Sequence, residues 1–121
     1  MNDIRNDCIV ALDAGTQSIR AALIDVRGEV LAIVRTPIAP YFSARPGWAE
    51  QEPRYYWEKF CETAKRLRQS EPFDRNAVKG VSVTTQRGTY VNVDASGEPL
   101  RPAIVWLDQR EASPTAWAPP A

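Results

Sequence analysis

Cys8-Ile-Val-Ala-Leu-Asp13-Ala-Gly15-Thr16-Gln17-Ser18-Ile-Arg20-Ala-Ala-Leu-Ile-Asp25 is the stretch whose reading decides the fold of this chain. An apolar run, Cys8 to Leu12, ends in a carboxylate, Asp13. Small and hydroxyl residues follow, and a second run, Ile19 to Ile24, ends in Asp25. The pattern predicts strand, tight polar turn, strand, with one acid at the mouth of the turn. Gly15 tolerates positive φ and lets another molecule approach bare backbone. Successive backbone N–H groups in such a turn form an anion-binding concavity, and hydroxyls add donors. An acid beside a phosphate cradle suits Mg²⁺, which takes a carboxylate together with phosphates and waters. Two readings stand at this point. One is a phosphate-and-magnesium loop; the other is an ordinary β-hairpin whose turn is polar because turns are polar.

The chain has 121 residues, enough for one modest domain. Its hydrophobic fraction of 44% and charged fraction of 25% are those of a soluble globular protein. Basic and acidic residues balance at 15 each. With no long basic run, binding to nucleic acid or a membrane surface through net charge is not expected. No stretch approaches the roughly 18 apolar residues of a membrane span. The polar start, Met1 to Asp7, lacks the apolar core of a signal peptide, so a cytoplasmic protein is expected. The absence of histidine removes Ser-His and Cys-His nucleophilic pairs and histidine metal sites. Cys8 and Cys61 stand far apart and read as small core residues rather than reactive thiols. Neither Gly-x-Gly-x-x-Gly nor Gly-x-x-x-x-Gly-Lys-Ser/Thr occurs, so phosphates would be held by neither the Rossmann nor the P-loop route.

In chain order, strands are predicted over Ile9–Asp13, Ile19–Asp25 and Val30–Thr36, forming an antiparallel meander. A hairpin turn at Asp25–Glu29 would put Gly28 in the left-handed position. The first strand is apolar throughout, which predicts burial on both faces. Tyr41 to Pro53 has no period and reads as an aromatic-rich loop pinned to the domain surface, with substrate contact as the other reading. Tyr56, Phe60, Ala64 and Leu67 recur at helical spacing after Pro53, predicting a helix over about 53–69. Strands follow over Val78–Thr84, about Thr89–Asp94, and Ala103–Leu107. Asp94-Ala-Ser-Gly97-Glu98 repeats the Asp-x-x-Gly-Glu pattern of residues 25–29 and reads as reused turn chemistry. A sheet with one main helix leaves much apolar surface uncovered. The stretch after Arg110, with three prolines and no apolar period, reads as a disordered or displaced tail.

Three polar clusters fall where strands are predicted to end: Asp13 to Ser18, Gln86 to Gly88, and Trp106 to Arg110. Arg20 would point back toward the first turn and pair with phosphate by a charge-assisted fork, or lie as a surface arginine. Gln86 and Arg87 offer amide and guanidinium donors suited to sugar or polyol hydroxyls; a capping glutamine and a surface arginine are the alternatives. Trp106 could give a sugar a flat apolar face, although taken alone it reads better as a core residue. Asp108 and Arg110 read as a structural pair ahead of direct chemistry.

Four stretches in order resemble the N-terminal part of the FGGY family of carbohydrate kinases. They are Ala11 to Arg20, Gly47-Trp-Ala-Glu-Gln-Glu-Pro53, Val83-Thr-Thr-Gln-Arg-Gly88, and Gly97 to Arg110. The resemblance implies an α/β, ribonuclease-H-like fold of the actin, Hsp70 and sugar-kinase superfamily, with a mixed sheet starting in a three-stranded meander. It implies transfer of the γ-phosphoryl of ATP to a sugar or polyol hydroxyl, with ATP and Mg²⁺ as cofactors. By the same resemblance Asp13 would hold Mg²⁺, and Gly15, Thr16, Gln17 and Ser18 would form the phosphate loop with Arg20 beside it. Gln86 and Arg87 would fall in the sugar-contact segment. Trp106 would form a wall of the sugar pocket, with Asp108 and Arg110 behind it.

Two departures matter. Gly88 stands where xylulokinase carries histidine and glycerol kinase carries glutamate, so neither substrate is carried over. The family's catalytic-base aspartate, its second domain and its glycine-rich adenosine segment fall beyond the matched region, so no acid here is assigned as the base. Residues 1–110 are therefore expected to be the first part of the kinase N-terminal domain and 111–121 a Pro/Ala-rich tail. Two functions remain open. The chain is the N-terminal segment of a kinase, inactive alone and open to a homodimeric full-length form; alternatively it is a truncated, inactive nucleotide- or sugar-binding module.

Overall fold

The computed structural model describes residues 6–110. The tail read over residues 111–121 lies outside the described residues. The elements are β1 (Cys8–Ala14), β2 (Ser18–Asp25), β3 (Val30–Pro37), β4 (Glu50–Gln51), α1 (Pro53–Arg68), β5 (Val78–Thr85) and β6 (Ala103–Ile104). They fall into two compact units. One runs to Ala39 and resumes over Tyr56–Gln86; the other comprises Pro40–Tyr55 and the chain from Arg87.

The first unit is a four-stranded mixed sheet in the order β3-β2-β1-β5. The predicted meander is there: β1 pairs antiparallel with β2, and β2 with β3. β5 adds parallel to β1 on its other side, after the α1 crossover. The β2–β3 turn is closed by Asp25, whose Oδ1 accepts the N–H groups of Arg27 (2.8 Å) and Glu29 (2.9 Å). Gly28 there has φ 84°. These backbone N–H groups, that of Glu29 first, hold the Asp25 carboxyl below its usual range against the opposing effect of burial.

α1 starts with Pro53, whose missing N–H is no loss in a first turn, and ends with Lys65, Arg66 and Arg68, suited to the negative end of the helix dipole. Leu67, 1% exposed, joins Cys8, Val10, Leu12, Ala21 and Leu23 in the core. Thr63 and Thr36, both buried, have hydroxyl oxygens 2.7 Å apart. The Thr63 hydroxyl also reaches the Lys59 carbonyl at 2.7 Å, and Arg66 donates to Thr36 at 3.0 Å. One hydroxyl carries one proton, so the chain runs from Arg66 to Thr36 to Thr63 to the Lys59 carbonyl.

Several expectations are corrected. β1 is buried on one face only: Val10 is 9% exposed and Ile9 44%. Within the first unit α1 packs on the Val10 and Leu12 face through Leu67. Cys61 is exposed rather than a core residue, because it lies on the face of α1 turned from Thr63 and Leu67. Val81 and Val83 share the helix side of the sheet with Val10 and Leu12 by register, yet are 63% and 54% exposed at the β5 edge.

The second unit contains a two-stranded sheet, β4 with β6. β4 lies inside the predicted loop 41–53; two residues are too short to show a period. The strand predicted over 89–94 is absent. Only single bridges form, Tyr90 with Ile104 and Val93 with Pro99. Pro99 and Pro102 bring no N–H to a ladder, which interrupts the pairing. The Asp94–Glu98 turn reproduces the Asp25 turn: Oδ1 of Asp94 accepts from the N–H of Ser96 (2.8 Å) and Glu98 (3.0 Å), and Gly97 has φ 86°. Leu67→Ala should destabilise the first unit by about 2–5 kcal/mol in denaturant titration, the cost of a cavity beneath a well-filled sheet.

Candidate functional site

In the first unit the site is built by the end of β1 and the start of β2. The connection is three residues, Gly15 to Gln17, closed by the Gly15 N–H donating to the Ser18 carbonyl at 3.0 Å. Gly15 is not in the left-handed region, contrary to the first reason for expecting glycine. The requirement is one of space: a Cβ at Gly15 would lie 3.1 Å from the Ser18 carbonyl oxygen. Ser18 is buried, and the Gln17 carbonyl accepts from Ile38 N–H at 3.0 Å. The Gln17 N–H has no acceptor among the described residues.

Asp13 behaves unlike Asp25 and Asp94. Those two cap their own turns. Asp13 instead accepts from the Thr84 hydroxyl at 2.8 Å and lies 3.3 Å from the Arg20 guanidinium, with its side chain 41% exposed. The pairings follow from register, since Asp13 faces Arg20 across β1–β2 and Thr84 across β1–β5. Arg20 thus points back toward the turn. Gln86 is drawn in too: its amide oxygen accepts from the Thr16 hydroxyl at 2.9 Å, its amide nitrogen donates to Tyr56 at 3.2 Å, and its backbone N–H donates to Ala14. Asp13, Thr16, Arg20 and Gln86 are therefore assembled in one unit. Thr84 and Tyr56 were missed; the only signal for Thr84 was its place at the end of the strand beside β1.

In the second unit Trp106 is 52% exposed, which overturns the core reading. Its backbone N–H donates to the Thr89 hydroxyl at 3.3 Å. Gly88 has φ 72°, and a Cβ there would lie 3.2 Å from the Trp106 Cβ, so this position takes a side chain only with strain. Arg87 is exposed. Asp108 is fully engaged: it accepts from Ala49 N–H (2.7 Å), Arg110 N–H (2.9 Å) and the Arg110 guanidinium through Nε (2.7 Å) and a terminal nitrogen (2.6 Å). The Arg110 fork holds the Asp108 carboxyl well below the usual carboxylate range, against the effect of burial. Arg110 also donates to the buried Glu50 at 3.0 Å and stacks 3.9 Å from the Trp48 ring centre. Arg101 donates to the same Glu50 oxygen. Glu50 was not singled out from the sequence, because a buried acid in a two-residue strand leaves no pattern.

A family model described as the N-terminal domain of the FGGY family of carbohydrate kinases matches residues 8–116. The chain belongs to this family. Among curated relatives, a glycerol kinase of Rhodospirillum centenum is 36% identical over 110 residues, covering 90% of this chain and 22% of its own. A glycerol kinase of Alkalilimnicola ehrlichii is 38% identical over 105 residues, covering 86% and 21%. The chain thus spans about a fifth of the length of the relatives it matches. Among solved structures, a xyloylose kinase from Brucella ovis superposes with TM-score 0.81 at 28% identity, over 86% of this chain and 22% of that one. Plasmodium falciparum glycerol kinase with ADP gives 0.68 at 26%, over 88% and 21%. The fold is accordingly part of the ribonuclease-H-like fold of the sugar kinases. No helix among the described residues is long and apolar enough to cross a membrane.

The Asp108 network carries a pH dependence. A carboxyl depressed in the folded state contributes stability that is present above its unfolded value near 4 and lost as pH falls through the folded value. Denaturation followed by tryptophan fluorescence should show the second unit weakening below about pH 4. Asp108→Asn should cost about 3 kcal/mol at pH 7 and flatten that acid dependence.

Proposed function

We propose that this chain supplies the phosphate-and-magnesium loop and part of the acceptor site of an ATP-dependent carbohydrate kinase. The observation that carries this reading is Asp13 held between Arg20 and Thr84 at the mouth of a turn that does not use it as a cap. Family membership and the ADP of one structural neighbour point the same way.

The donor set fits Mg²⁺. Asp13 is half-exposed, and among the described residues no cluster of three acidic or cysteine ligands could hold an ion by protein alone. A metal at Asp13 would complete its shell with phosphates and water, the coordination Mg²⁺ prefers. ATP and Mg²⁺ would supply the transferable phosphoryl group and neutralise the charge that develops on it. The chain's own residues do the positioning. Thr84 and Arg20 fix the rotamer of Asp13. The close Gly15–Ser18 turn presents backbone and the Thr16 hydroxyl, with Gln86 holding Thr16 against β5. Arg20 adds positive charge at the same edge.

For the acceptor, the exposed face of Trp106 suits the carbon side of a sugar or polyol, and Arg87 offers donors to its hydroxyls. Asp108 acts by holding Ala49 and Arg110, so its role toward substrate is positioning. No described acid is assigned as the general base; Asp13, Glu50 and Asp108 are each committed to a cation. The acceptor class is a sugar or polyol, and the compartment proposed is the cytoplasm.

A coupled assay of the full-length protein with Mg-ATP and a panel of polyols, ketoses and aldonates should show phosphorylation of at least one. Asp13→Ala should lower kcat/KM by roughly 100-fold, the size expected of a group that orients metal and phosphates. Absence of turnover across the panel contradicts the proposal.

A further inference from the structure

The far side of the sheet, opposite α1, carries one polar row. The register sets Thr84, Asp13, Arg20 and Arg35 side by side on β5, β1, β2 and β3. Two exposed guanidinium residues, Arg20 and Arg35, thus stand directly across β2–β3. Like charges directly opposite in a sheet are destabilising. Asp13 neutralises one of them at 3.3 Å, and the side chain of Arg35 has no acidic partner among the described residues. The row carries an uncompensated positive charge. It does so at a particular place: Arg35 lines the same open depression, about 370 Å³, as Gly15, Thr16, Gln17, Ser18 and Arg20.

We propose that Arg35 is a second guanidinium contact for the polyphosphate anion taken by the Gly15–Ser18 turn. The cross-strand pair is held open for a ligand that bridges it. Arg20 is shared between Asp13 and the anion, whereas Arg35 is free to commit both edges of its fork to phosphate oxygens. This inference rests on the phosphate-loop reading of the turn and extends it by one strand.

Isothermal titration of the protein with inorganic tripolyphosphate and Mg²⁺, beside thermal melts of the same samples, tests it. Wild type should bind, Arg35→Ala about tenfold more weakly, and Arg35→Lys in between. Unliganded Arg35→Ala should melt at or above the wild-type temperature, because a like-charge pair is relieved. Equal affinity of Arg35→Ala and wild type, with affinity lost in Arg20→Ala, overturns the role of Arg35 and leaves the loop reading standing. A lowered melting temperature of unliganded Arg35→Ala also overturns it, marking a structural arginine. No binding by wild type overturns the loop reading and this inference together.

Discussion

Asp13 is held between Arg20 and Thr84 because β1 pairs antiparallel with β2 and parallel with β5 at one level of the sheet. The rest of the site depends on that register. A slip of one residue between β1 and β2 would turn Asp13 into the core and expose Leu12. Burial of Val10, Leu12, Ala21 and Leu23 beneath α1 prevents the slip, so the apolar face fixes where the polar row lies. The site is the point at which the far face changes along β1 from Ile9 and Ala11 to Asp13. Packing energy on one side of the sheet thus sets charge placement on the other.

Much of the first unit was legible. The apolar run after Ser18, the Asp25–Glu29 turn and the Pro53-led helix each carry a local signal, and each forms the predicted element. The role of Gly15 was legible as a need for glycine but not as the right need: it answers close approach to Ser18, not positive φ. Thr84 and Arg35 enter the row only through pairing between distant strands, which no local window contains. Cys61 was misread because the helix buries a narrow stripe, Thr63 and Leu67, rather than its full apolar arc.

The second unit was harder to read for a different reason. Its order comes from side chains rather than from a period. A buried Glu50, an arginine fork on Asp108 and a guanidinium on Trp48 fix segments that are almost without regular structure. Such networks are costly when half-made and rigid when complete. Gly88 sits within this unit against Trp106, where a Cβ would lie 3.2 Å from the Trp106 Cβ.

On the proposed reading the turn after Asp13, and not the two Asp-x-x-Gly-Glu turns after Asp25 and Asp94, holds the phosphates. Amide chemical shifts recorded while the ¹⁵N-labelled protein is titrated with Mg-ADP test it most directly. Saturable shifts are expected at Thr16, Gln17 and Ser18, with the amides of Arg27, Glu29, Ser96 and Glu98 unmoved, because Asp25 and Asp94 already occupy those. Shifts centred on either capped turn, with the 16–18 amides still, would contradict it.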